Sequence, residues 1–205
     1  MNRQVVSSTV KDTELVEKRH KQIIGASIQL FKDKGFHRTT TREIAEKAGF
    51  SIGTLYEYVR TKEDVLFLVY ESIHNAVYRH IRDLAKKVTG EKAETFALIR
   101  AYFLLMDQMQ EEVLILYQEV KSLQFEQREQ VLQHEREMVA LMKHAILSID
   151  GVRIDDERAE LLANNIFVQG HMWSFRRWSL DKQFTIEQYI QLQLGFFENS
   201  LFINV

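Results

Sequence analysis

The sequence predicts an all-α protein with a small helical head followed by a larger helical body. Three observations predict it. Residues 40–62, TTREIAEKAGFSIGTLYEYVRTK, read as two capped helices joined by a tight corner. Apolar residues recur at helical spacing through most of the remaining chain, which has no proline and no convincing strand pattern. The charge is also divided unevenly. Residues 1–62 hold 12 Lys and Arg against 7 Asp and Glu, or +5, and the rest holds 15 against 22, or −7, giving the net −2. A basic head on an acidic body is the asymmetry of a small DNA-binding domain attached to something else.

Taken in order, residues 1–14 are polar and without periodicity, and read as a mobile tail. Arg3 and Lys11 there could touch phosphate, but Asp12 and Glu14 lie close by. A first helix is expected from about Val16 to Lys34, with Ile23, Ile24, Ser27, Ile28 and Phe31 as its stripe and Gly35 at its end. Thr40 and Glu43 have capping-box spacing at the start of the second helix. Ile44, Ala45 and Ala48 form its inner face, and Gly49 stands where a helix commonly ends in a left-handed residue. Ser51 can cap a third helix whose inward anchors are Leu55 and Val59. Small Ala45, turning Gly49 and anchoring Leu55 have the spacing that a helix-turn-helix needs.

Thr61 and Asp64 make another capping-box start, so a fourth helix runs from Lys62 to about Val88, roughly 40 Å at 1.5 Å per residue. Further helices are expected over 91–109, 111–124 and 125–149. Asp150-Gly151 is a turn, and Asp155 or Asp156 caps a helix to about Trp178. Thr185 and Gln188 cap a last helix ending near Phe202. The domain boundaries are therefore a tail over 1–14, a head over 15–62 and a body over 63–205.

Several function classes are excluded or disfavoured. There are no cysteines, which removes disulfides, thiolate catalysis and Cys-ligated zinc, and fits a reducing cytosol. No stretch of about 18 apolar residues exists to span a membrane. The N-terminus lacks an apolar signal core, so a cytoplasmic location is expected. No phosphate-binding Gly-rich loop, nucleophile elbow or HExxH motif is present, and His134, His144 and His171 lack metal-ligand spacing with acids. No enzyme activity, metal or cofactor is expected, a helical-bundle enzyme remaining the remote alternative.

The outer face of the third helix is unusual. Ile52, Gly53, Thr54, Tyr56 and Tyr58 remain near its start once Leu55 and Val59 point inward. Gly costs about 1 kcal/mol against Ala inside a helix, and is useful where a base edge or another backbone comes close. Thr and Tyr hydroxyls suit phosphates, and a Thr methyl suits the thymine methyl. The expected DNA contacts are Thr40, Thr41, Arg42, Ser51, Ile52, Gly53, Thr54, Tyr56, Tyr58 and Lys62. The same spacing also fits an ordinary helical hairpin with surface aromatics.

The run T-T-x-x-I-A-x-x-A-G-x-S-x-G-T-L-Y-x-Y-x-x-x-K-E-x-L resembles the DNA-binding domain of TetR-family transcriptional regulators. It is carried by Thr40, Thr41, Ile44, Ala45, Ala48, Gly49, Ser51, Gly53, Thr54, Leu55, Tyr56, Tyr58, Lys62, Glu63 and Leu66, within roughly residues 18–66. The family often has His at the position of Tyr58 and Phe at that of Val59, both mild departures. The resemblance implies an N-terminal three-helix helix-turn-helix DNA-binding domain plus a C-terminal helical ligand-binding and dimerisation domain. It also implies a homodimer on a pseudo-palindromic operator in double-stranded DNA.

In the body, Phe103, Met106, Met109 and Tyr117 can line an apolar pocket, although such a stripe is more often plain core. Trp173, Arg176, Arg177 and Trp178 fall within six residues, where Arg would suit phosphate and Trp a base. A dimer-facing or surface aromatic with stacked Arg fits them equally. The run Trp173-Ser-Phe-Arg-Arg-Trp178 resembles a segment of TetR-family regulators that sense acyl-CoA thioesters, the fatty-acid-degradation repressors of Gram-positive bacteria being the nearest group. The implied function is a transcriptional repressor released from its operator by a small apolar effector, a long-chain acyl-CoA being the first choice. A regulator of efflux or another catabolic gene, answering to an aryl-CoA, a free fatty acid or a drug, is the alternative. Apolar residues on the last two helices, including Ile166, Phe167, Tyr189, Leu192, Phe196, Phe197 and Leu201, exceed what a terminal hairpin buries, so a four-helix dimer bundle is expected there.

Overall fold

The computed structural model describes Val6 and residues 8–201. Among these residues the ordered elements are helices: α1 Thr13–Lys34, α2 Thr41–Ala48, α3 Ile52–Tyr58, α4 Lys62–Ala85, α5 Lys92–Gln108, α6 Gln110–Glu119, α7 Phe125–Leu147, α8 Asp156–Leu180 and α9 Ile186–Leu201, with a short 3-10 turn over Val120–Ser122. They segregate into two compact units. One holds the residues through Asn75 together with Leu114–Leu132, and the other holds Ala76–Val113 and Gln133–Val205. Helices α4, α6 and α7 contribute to both. No helix of the described residues is long and apolar enough to cross a membrane.

The helix starts follow the capping grammar of the sequence. Thr40 and Glu43 make the full reciprocal box at α2, Ser51 caps α3, and Asp155 caps α8. Thr185 and Gln188 exchange bonds before α9, as do Thr61 and Asp64 before α4. One start differs from expectation. Asp12 Oδ1 accepts from the Leu15 amide, so α1 begins at Thr13 instead of near Val16.

Part of the segment expected to be a mobile tail is tied to α3. The Thr9 amide and the Ser8 and Thr9 hydroxyls all donate to the Glu57 carbonyl, and Val6 is buried. These contacts satisfy a carbonyl that the end of α3 would otherwise leave without a partner. Arg3 lies outside the described residues, and Lys11 is exposed.

In the first unit Ile23, Phe31, Ile44, Ala45, Leu55, Val59, Val65 and Leu66 form the core. Gly49 takes a left-handed φ of 80°, and the Phe50 amide reaches back to the Ala45 carbonyl at 2.8 Å, closing α2 so that α3 can cross it. The second unit is organised around the crossing of α5 and α8. A Cβ on Gly170 would stand 2.4 Å from Tyr102 Cε1, so glycine is what permits this approach. Tyr102 is stacked edge-on with Phe167, while Phe103 meets Tyr189 and Phe197.

Candidate nucleic-acid interface and effector region

The head presents a hydroxyl-rich face. Ser51 Oγ accepts from the Thr54 amide at 3.0 Å and shares a second bond with the Thr54 hydroxyl, which fixes the first turn of α3. Thr41 Oγ1 and the Tyr56 hydroxyl share a bond of 3.1 Å between α2 and α3. Tyr56 is 48% exposed, so this bond holds its phenol on the surface instead of burying it. Thr40, Arg42, Ser51 and Gly53 are exposed beside it, with Thr41, Ile52 and Thr54 half-buried.

Glu43 anchors this face from behind. Its carboxylate takes a close bond from Lys34 and bonds from the Thr40 amide and hydroxyl. The Lys34 bond first, then the Thr40 bonds, hold the Glu43 carboxyl down to about 2. It therefore stays ionised while completing the capping box.

Two expected DNA contacts are placed differently. Tyr58 is 3% exposed, packs edge-on against His20, and its carbonyl meets His20 Nε2 at 3.3 Å. It lies three residues after Leu55, on the buried side of α3, so its ring belongs to the core. Burial pushes the His20 imidazole below its ordinary value. Lys62 also turns inward: its Nζ donates to the carbonyls of Phe36, His37 and Thr39 at 2.9, 3.2 and 3.1 Å. Those bonds tie the start of α4 to the α1–α2 corner and occupy all three ammonium protons.

The effector candidates divide between the units. Phe103, Met106 and Met109 belong to the second unit, and Tyr117 belongs to the first, where it is 62% exposed. Phe103 and Met106 are buried, and Met109 ends α5. On α8, Trp173 and Arg177 face α5, where both meet an acid that helical spacing does not single out. Trp173 Nε1 donates to Asp107 Oδ1 at 2.8 Å, and Arg177 NH1 donates to the same oxygen at 2.7 Å. Trp173 is 2% exposed and its ring lies against Tyr189. Arg177 is thus already neutralised by a carboxylate, and Trp173 is interior. Arg176 and Trp178 are exposed. The lone acid within the apolar run Leu104–Met109 was the available signal for Asp107.

The comparisons with known proteins bear on this arrangement. Residues 23–69, which span the second half of α1 through the start of α4, match the family described as bacterial regulatory proteins, tetR family. This head is a tetR-family DNA-binding segment. The TetR match lies on the helices that present the Thr41–Tyr56 face. Over 187 residues the chain is 27% identical to the HTH-type transcriptional regulator HbdR of Aromatoleum sp. (strain CIB), covering 91% of this chain and 82% of HbdR. It is 28% identical over 88 residues to the fatty acid metabolism regulator protein of Bacillus subtilis (strain 168), covering 42% of this chain and 45% of that protein. The fold resembles AibR, solved in complex with isovaleryl coenzyme A and operator DNA. The TM-score is 0.71 at 20% identity, over 87% of this chain and 97% of AibR. HbdR and the B. subtilis protein are named as regulators, in accord with a non-enzymatic role.

Proposed function

We propose that this TetR-family chain is an operator-binding repressor released by an acyl-CoA thioester. Residues 15–62 read DNA, and residues 63–205 hold the effector and the dimer contact. The observation that carries the effector assignment is the packing of an apolar α5 against α8, whose end is basic and Trp-bearing. Phe103, Met106 and Met109 run along α5, and exposed Arg176 and Trp178 stand on α8. An acyl chain suits the first group, and CoA phosphates or the adenine base suit the second. The name of the B. subtilis relative and the isovaleryl coenzyme A held by AibR support the same ligand class.

The protein acts as a two-fold dimer in the cytoplasm on a pseudo-palindromic operator. Exposed Leu161 and Val168 on α8 and Leu192 and Phe196 on α9 supply apolar surface for a four-helix interface. Two recognition helices must then meet successive major grooves about 34 Å apart. An effector that prefers a different placement of α4 changes that spacing, and it acts only through its unequal affinity for the two states.

The test is fluorescence anisotropy on the preformed complex with DNA from upstream of the protein's own gene, adding long-chain acyl-CoA, with free CoA and free fatty acid as controls. Release by acyl-CoA alone supports the thioester reading. Release by fatty acid alone, or none by any of the three, overturns it and leaves the DNA-binding head standing.

A further inference from the structure

Two helix N-termini of the first unit meet through their capping side chains. Asp64 is the third residue of α4, and its Oδ2 accepts from the amides of Arg60 and Thr61 at 3.0 and 3.2 Å. Gln127 is the third residue of α7, and its Oε1 accepts from the Gln124 amide at 3.0 Å. Each side chain therefore serves its own helix start. What remains of each is used on the other. Gln127 Nε2 donates to Asp64 Oδ1 at 2.8 Å, with the two residues 1% and 5% exposed. A buried carboxylate without that donor would be left short of a partner, so the contact is costly to break.

The position of this link gives it a consequence for DNA reading. Arg60 and Thr61 are the two residues between the end cap of α3 and the start of α4. Asp64 holds both of their amides, and Gln127 holds Asp64. Two further contacts join residues 114–132 to the rest of this unit. Glu119 pairs with His37 in the α1–α2 corner at 3.2 Å, and the Tyr70 hydroxyl donates to the Val131 carbonyl at 3.4 Å. Helix α3 has only seven residues, so the turn that ends it constrains its direction together with the Gly49 corner at its start.

We infer that Gln127, acting through Asp64, is a positioning residue for operator recognition: the start of α7 fixes the α3–α4 turn and so aims the base-reading face. This rests on α3 being the DNA-reading helix and is independent of which effector binds.

The chemistry allows the link to be reversed. In D64N/Q127E, the side-chain oxygen at position 64 would still accept from Arg60 and Thr61. The new amide nitrogen there would donate to the new carboxylate at position 127, which would still accept from Gln124. Each single change instead opposes two donors, in D64N, or two carboxylates, in Q127E. The experiment selects a preferred duplex from random DNA with the wild-type chain, then measures the ratio of its affinity to that of a scrambled duplex for all four proteins. A purely structural role lowers the active fraction and leaves this ratio unchanged. The expected result is a ratio reduced about tenfold in D64N and in Q127E and restored in the double variant. Should a single variant be unfolded at the assay temperature, Q127M, which removes the donor without adding charge, is read in its place with the same expectation. An unchanged ratio in the folded variants, or a double variant no better than the singles, overturns the inference. A wild-type chain that selects no duplex would instead sink the α3 reading itself.

Discussion

The Lys62 ammonium stands 4.3 Å from the centroid of the Phe36 ring while its protons go to the Phe36, His37 and Thr39 carbonyls. A lysine at the start of α4 in a basic head looks like a phosphate contact. Here it is the fastener between α4 and the α1–α2 corner. Lys62→Ala is therefore expected to destabilise the head by about 1–3 kcal/mol, since three carbonyls lose their donor. The slope of log affinity against log salt is expected to stay as in wild type, because no phosphate contact is removed. Thermal unfolding and a salt titration check both. A slope reduced by about one, with an unchanged melting temperature, would return Lys62 to the phosphate set.

Gly53 separates stability from recognition. It is exposed, and a Cβ there would meet only Ser51 Oγ at 3.7 Å, an ordinary contact. Gly53→Ala thus fits the free protein and should stabilise it by about 0.5–1 kcal/mol through lower backbone entropy in the unfolded chain. If the α3 start lies against DNA, the added methyl enters the space meant for a base edge or backbone. The expected pattern is a higher melting temperature with weaker operator binding. A variant that is more stable and binds the operator as tightly as wild type would remove Gly53 from the interface.

The head was legible because its instructions are local. Thr40 with Glu43, Gly49, Ser51, and Thr61 with Asp64 each act within about four residues, and all occur in the structure as their spacing implies. Tyr58 departs from the outward direction expected of it: it follows Leu55 by three residues and precedes Val59, so the inward stripe has three members instead of two. What spacing does not carry is the long-range polar pairing. Asp107 meets Trp173 and Arg177 across 66 and 70 positions, and Asp64 meets Gln127 across 63. Those pairings depend on which helices become neighbours. They turned two residues of the basic Trp-Arg cluster into an interior clasp.

That clasp predicts different behaviour for adjacent arginines. Arg177→Ala leaves Asp107 with Trp173 alone and should lower stability by about 1–3 kcal/mol. Arg176 is exposed, and Arg176→Ala should leave the stability within about 0.5 kcal/mol of wild type. Its acyl-CoA affinity, measured by calorimetry, should fall about tenfold through loss of a charged phosphate contact. If both variants keep wild-type acyl-CoA affinity, neither arginine binds the CoA phosphates and the thioester assignment fails with them.

His171 is expected to weaken the fold in mild acid. It sits on α8 with the Tyr102 and Phe175 rings 6.5 and 6.2 Å away, and burial lowers its imidazole to about 4. The unfolded chain, with an ordinary value of 6.5, binds this proton more readily than the native state. Stability from His171 is therefore complete above pH 6.5 and is lost progressively as the pH falls toward 4, by on the order of 3 kcal/mol. His20, also held below its ordinary value by burial, works in the same direction. Glu43, lowered to about 2 mainly by Lys34, loses its contribution only below its ordinary value of 4.5, so His171 and Glu43 act largely in successive windows. Unfolding midpoints in urea at pH 7, 6 and 5 should decline for wild type, and His171→Gln, which cannot titrate, should flatten most of that decline. Parallel declines in the two proteins would mean that the proton is taken up elsewhere.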